Sequence, residues 1–294
     1  MLSRRAALAA PVLLSAPARA HGRRIVVAGG GIAEIVVALG AEADIVAADS
    51  TALFPRRLTA LPQVGYLRSL GAEGVLSASP TMLILANEAG PPEAVAQLER
   101  TGVRIVRAPR VTGRDSLVEA VRVIARALGA EARGEAMAAA IGEDFDALTR
   151  IVSALPRRPS AVFILAAGGG APQASGTATA ADAMLGLAGA RNAVTGYRGY
   201  KPVAAEALIA SEPDAVVTTT HTLDALGGQG GFTRIPALAP LAPVREGRVI
   251  VFDSLYLLGF GPRTAHAARD LAAALQGGAT VPALPARPWL SEQA

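Results

Sequence analysis

The sequence predicts an α/β protein of two similar lobes with mostly parallel sheets, joined by one long interlobe helix. Three observations predict it. Short apolar runs alternate with amphipathic stretches, the pattern of a parallel sheet covered by helices on both faces. One phrase also occurs twice. Ala72-Glu73-Gly74-Val75-Leu76-Ser77-Ala78-Ser79-Pro80 leads into the apolar Met82–Leu85, and Ala205-Glu206-Ala207-Leu208-Ile209-Ala210-Ser211-Glu212-Pro213 leads into Ala215–Val217. Each copy follows a Gly-Tyr pair, Gly65-Tyr66 and Gly199-Tyr200. The offset of 133 residues from Ala72 to Ala205 is nearly half of the 294-residue chain, far beyond a solenoid period. Finally, Glu131–Leu155 carries Met137, Ile141, Phe145, Leu148, Ile151, Val152 and Leu155 at three- and four-residue spacing, with no proline before Pro156. A helix of that length spans roughly 37 Å. That exceeds what a crossover in a small lobe needs, so it reads as a spine between lobes. Two lobes leave a cleft, and clefts between domains are where small molecules bind.

These features divide the chain into residues 1–20, 21–129, 130–156 and 157–294: an export signal, a first lobe, the linking helix and a second lobe. In the signal, Arg4-Arg5 precede the apolar Ala6–Ala16, and Ala18-Arg19-Ala20 is an A-x-A cleavage site that predicts His21 as the mature terminus. The apolar stretch is shorter than the ~20 residues of a spanning helix. Ser3-Arg4-Arg5 also fits a twin-arginine signal, and an ordinary secretory signal fits as well. Export points to a bacterial periplasm. With no cysteine, the chain has no disulfide, no thiolate metal site and no cysteine for a lipid anchor. A hydrophobic content of 51% excludes a disordered chain. The net charge of +4 falls to +1 once Arg4, Arg5 and Arg19 are removed, so no nucleic-acid partner is expected.

In order, the mature chain reads as a strand at Arg24–Ala28, the turn Gly29-Gly30-Gly31, a helix from Ala33 to Leu39 and a strand at Ile45–Ala48. A proline-containing loop, Phe54–Arg68, precedes the first repeat copy. A helix near Pro92–Thr101, a strand at Arg104–Ala108 and a helix at Asp115–Leu128 close the first lobe. The second lobe opens with a strand at Ala161–Ala166, the loop Gly168-Gly169-Gly170 and a helix at Ala178–Ala188. After the second repeat copy come a strand at Val249–Phe252, a final helix started by Pro262, and a proline-rich tail from Gly277.

Ile25–Ala28 followed by Gly29-Gly30-Gly31, with Asp49 about twenty residues on, has the outline of a dinucleotide site. The pattern fails at Glu34, which stands where the third glycine belongs. A carboxylate there would repel a pyrophosphate. The glycines read instead as a tight strand-to-helix turn.

Leu61-Pro62-Gln63-Val64-Gly65-Tyr66-Leu67-Arg68 precedes a helix, where loops of a doubly wound lobe face the cleft. A free phenol titrates near ~10. Ferric iron binds a phenolate, and a guanidinium stabilises that oxygen by a charge-assisted hydrogen bond. From spacing alone, the simpler reading is a loop tyrosine beside a surface arginine.

At these residues the chain resembles the periplasmic haemin-binding proteins of bacterial ABC haem importers. The segments that carry the resemblance are Gly29-Gly30 with Glu34-Ile35-Val36 and Ala38-Leu39-Gly40-Ala41; Leu61 through Ser77; Gly176 through Asn192; Tyr200-Lys201-Pro202 through Asp214; and Leu258-Gly259-Phe260-Gly261-Pro262-Arg263. The resemblance implies two Rossmann-like lobes with limited relative motion. It implies that Tyr66 is the axial ligand to ferric haem (haem b, as haemin) and that Arg68 supports its phenolate. It further implies that one surface carboxylate per lobe, Glu73 and Glu206, docks onto arginines of the permease. A solvated glutamate in a first helical turn is the plain alternative for each. Some relatives place a histidine after the first strand of the second lobe. Here that stretch is Ala166-Ala167-Gly168, so five-coordinate iron, or iron with water or a small sixth ligand, is expected.

Tyr200, Tyr256 and Arg263 are further candidates for the pocket wall, Arg263 either meeting a haem propionate or forming a salt bridge at its helix start. Ser175 and Thr179 fall at the start of the second-lobe helix. His221 follows the strand of the second repeat, and His266 lies on the last helix; neither has a partner at metal-ligand spacing. The function expected is capture and release of haem by a monomer, with a ferric siderophore or corrinoid as the alternative cargo. An exported enzyme is the remote alternative, because no G-x-S-x-G or H-E-x-x-H occurs.

Overall fold

The computed structural model describes residues 22–277 and 280–292. The export signal and His21 lie outside the described residues. The first half runs β1 (Ile25–Ala28), α1 (Gly30–Ala38), β2 (Ile45–Ala48), the hairpin β3 (Gly65–Tyr66) and β4 (Ser69–Leu70), α2 (Ala72–Ser77), β5 (Met82–Leu85), α3 (Pro92–Glu99), β6 (Arg104–Arg107) and α4 (Arg114–Leu128). β2, β1, β5 and β6 form an all-parallel sheet in that order. Every residue of β1 and β5 is buried, as continuous apolar strands covered on both faces must be.

α4 ends at Gly129, whose left-handed φ of 65° lets the chain reverse. α5 (Glu131–Ser153) follows with 23 residues, about 34 Å. The two helices approach closely at Gly134, where a Cβ would stand 2.3 Å from that of Ala125.

The second half runs β7 (Ser160–Ala166), β8 (Gln173–Ser175), α6 (Ala180–Leu187), β9 (Arg191–Asn192), β10 (Tyr200–Pro202), α7 (Ala205–Ala210), β11 (Ala215–Thr219), α8 (Thr220–Ala225), α9 (Ala242–Arg245), β12 (Val249–Phe252), α10 (Ser254–Leu258) and α11 (Thr264–Leu275). Its sheet is mixed. β9, β7, β11 and β12 are parallel, while β8 and β10 add on antiparallel.

Two features tie the halves together. At the start of α1, a Cβ on Gly31 would meet the Gly259 carbonyl oxygen at 2.1 Å, and one on Gly30 would meet the Leu255 side chain at 2.5 Å. The glycine turn therefore serves close approach of the second half. Beyond α11 the tail returns along α5. Arg287 donates to the buried Asp144 at 2.8 and 3.0 Å, and Trp289, the single tryptophan, is buried.

Differences from the sequence reading have local causes. α1 begins at Gly30, because the glycines themselves make its first turn. The last helix begins at Thr264, after Pro262. The strands β3, β4, β8, β9 and β10 hold two or three residues each, too few to show a period.

Candidate ligand-binding site

The repeated phrase is repeated in space. α2 and α7 each lead through a proline into a central parallel strand, β5 or β11. The residue before each proline has positive φ, 48° at Ser79 and 40° at Glu212, and these positions are again 133 apart. Positive φ is uncommon for a non-glycine residue, so its recurrence marks one structural unit used twice. Gly65 (φ 96°) and Gly199 (φ 85°) likewise precede Tyr66 and Tyr200.

Tyr66 lies on a two-residue hairpin: Gly65 pairs with Leu70, Tyr66 with Ser69, and Leu67-Arg68 form the turn. Buried Val64 and Leu70 root it. Its backbone is tied to the carboxyl end of β2 by Val64 N–H to the Ala48 carbonyl (3.0 Å) and Ser50 N–H to the Gly65 carbonyl (2.8 Å). Gly90, just past β5, donates to the Leu67 carbonyl (2.9 Å) and accepts from Leu70 N–H (2.7 Å). Ligands of open parallel sheets bind outside the carboxyl ends of the strands. Tyr66 is 46% exposed, one of three large apolar side chains left open among the described residues, with Leu53 and Ile209. Its phenol carries no hydrogen bond among the described residues.

Arg68 is exposed at the hairpin turn. Burial raises the Tyr200 pKa, while the Ala181 N–H, Thr179 and then the Arg68 charge oppose the rise. Tyr200 packs edge-on against Phe163 at 6.3 Å, and its oxygen accepts from Ala181 N–H at 3.4 Å.

Ser175 and Thr179 are buried and bonded to each other at 2.5 Å, and Thr179 caps α6 through Asp182 N–H. They fix the α6 start. His221 is exposed at the beginning of α8 with no side-chain hydrogen bond among the described residues, whereas the ring of His266 faces the Pro285 carbonyl oxygen at 2.9 Å.

Of the two readings of Arg263, the structure shows the salt bridge at the helix start. Its Nε and Nη2 donate to both oxygens of Glu34 at 2.9 and 2.7 Å, with side chains only 11% and 4% exposed. A ligand carboxylate at Nε or Nη2 would have to displace a buried one. Phe54 and Tyr256 flank the guanidinium, with ring centroids at 3.7 and 5.1 Å. Burial raises the Glu34 pKa, and the Arg263 hydrogen bonds and charge pull it back. Tyr256 is also turned inward, donating to Asp270 at 2.8 Å; burial and then Asp270 push its phenol pKa well up. The signal for the Glu34–Arg263 pair was Glu34 itself, a carboxylate among the buried residues Ile32, Ala33, Ile35 and Val36 that requires a partner.

Glu73 and Glu206 are each the second residue of their helix, α2 and α7, and both are exposed. One turn on from Glu206, Ile209 is 45% exposed; its counterpart Leu76 is half-buried.

The architecture is a two-lobed α/β scaffold with a long connecting helix. The sequence profile of the periplasmic binding protein family matches residues 25–256. The chain belongs to that family. It is similar to the periplasmic heme-binding protein RhuT from Roseiflexus sp. RS-1, with 38% identity, a TM-score of 0.83, and coverage of 87% of this chain and 99% of that one. It is similar also to the periplasmic heme-binding protein BhuT, solved with two hemes, at 36% identity and TM-score 0.83, covering 87% and 98%. A periplasmic heme-binding protein from Pseudomonas aeruginosa matches at 35% identity and TM-score 0.79, covering 90% and 96%.

Proposed function

We propose that the protein captures ferric haem in the interlobe cleft in the periplasm and delivers it to the permease of an ABC importer. The observation that carries this reading is the exposed Tyr66 phenol on its anchored hairpin, with the exposed Arg68 two residues on. Three relatives named as heme-binding, at 35–38% identity, support the choice of cargo.

The chemistry is that of a hard Lewis acid meeting a phenolate. A single protein ligand suits iron whose equatorial positions a porphyrin already fills. Arg68 stabilises the phenolate, and Tyr200 contributes the facing wall. The stretch Ala166–Gly170 carries no ligating side chain, so the sixth position is left to water or a small ligand. Glu73 and Glu206 dock onto basic residues of the permease, one from each lobe. The work is binding and release, without bond chemistry.

Competitive titration of the mature chain with ferric haem, a ferric siderophore and cobalamin tests the cargo. Haem is expected to bind tightest. Preferential binding of either competitor overturns the reading.

A further inference from the structure

Asp49 is fully buried, yet its carboxylate gathers donors from three separate segments. Oδ1 accepts the Gly29 N–H at 2.7 Å. Oδ2 accepts the Thr51 N–H at 3.1 Å and the Leu67 N–H at 3.1 Å. The Thr51 hydroxyl lies 2.8 Å from Oδ2 and 3.0 Å from Oδ1. Leu67 stands between Tyr66 and Arg68.

A two-stranded hairpin is marginal by itself, so the direction of Tyr66 depends on what holds the turn. The other anchors, through Ser50, Gly65 and Gly90, are backbone to backbone. Asp49 contributes a side-chain anchor at the turn between Tyr66 and Arg68. We propose that Asp49 is the positioning residue of the ligand hairpin, a buried anion that fixes the Leu67 amide and so aims Tyr66 and Arg68. This rests on the reading of Tyr66 as the iron ligand.

The charge is required by the donor count. An ionised carboxylate only accepts and offers about four lone-pair sites, whereas a carboxamide has one accepting oxygen and a donating NH2. With its oxygen towards Gly29, an asparagine would point its NH2 at the Leu67 N–H. With the amide reversed, the same conflict falls on Gly29. The same carboxylate also ties the hairpin to the glycine turn, whose next residues touch Leu255 and Gly259 of the second lobe.

The test uses the mature chain with ferric haem as probe, comparing wild type, Asp49→Asn and Tyr66→Phe. Asp49→Asn is expected to weaken haem binding roughly tenfold and to shift the phenolate-to-iron charge-transfer band, a signature that general destabilisation alone does not move. Wild-type affinity and band in a folded Asp49→Asn overturn the proposal. If Tyr66→Phe keeps the wild-type spectrum, the underlying ligand assignment fails instead, whatever Asp49→Asn does. Should Asp49→Asn not fold, Thr51→Val, which removes one donor from the same carboxylate, is expected to move the band in a smaller degree; an unmoved band there overturns the proposal.

Discussion

Glu34 and Arg263, 229 residues apart, close a buried bidentate ion pair between α1 of the first half and the start of α11 in the second. Beside it, Gly31 meets Gly259 so closely that no side chain fits between them. The two halves are therefore fastened at a seam as well as through α5.

Breaking the pair from one side leaves a charge buried without its partner. Arg263→Ala is expected to cost about 3–5 kcal/mol of stability, measured by denaturant unfolding. Replacing both residues by methionine is expected to recover much of that loss, because buried ion pairs contribute little over well-packed apolar groups. A double variant as unstable as Arg263→Ala would contradict this.

The seam also has a pH signature. Burial lifts the Glu34 pKa above its ordinary 4.5. A carboxyl with a raised folded pKa holds its proton more readily folded than unfolded. Its contribution to stability therefore falls as pH rises from 4.5 through the raised value. In thermal melts over that window, the stability of wild type relative to Glu34→Gln is expected to decline with rising pH. A difference that grows with pH would refute the assignment.

The proposed docking role predicts a split between docking and binding. Glu73 and Glu206 are exposed in the first turns of α2 and α7. The double change to alanine is expected to leave haem affinity within about twofold while abolishing haem-dependent growth of cells that rely on the importer. Undiminished growth would remove both residues from the docking role.

Much of the fold was legible because burial on both faces writes itself as apolar runs: β1, β5, β7 and β11 were all readable. The duplicated Ala-Glu phrase marked α2 and α7, and the backbone repeats it down to the positive φ of Ser79 and Glu212. The hairpin was not legible, because two-residue strands carry no period. Asp49 stood out for its spacing from the glycines as part of a dinucleotide-site outline, which the Glu34 mismatch argued against. Its actual partners include the Gly29 amide at the start of that same turn, with Thr51 and Leu67. Arg263 pointed to a ligand carboxylate as readily as to a protein one, and only tertiary structure brings it to Glu34.

The most direct test of the central claim is a titration of ferric haem into the mature protein and into Tyr66→Ala, followed by absorption. The account predicts a saturable Soret band with a phenolate-to-iron charge-transfer feature in the wild type, and loss of that feature in the variant. An identical charge-transfer feature in Tyr66→Ala, or no specific haem spectrum in either protein, would contradict it.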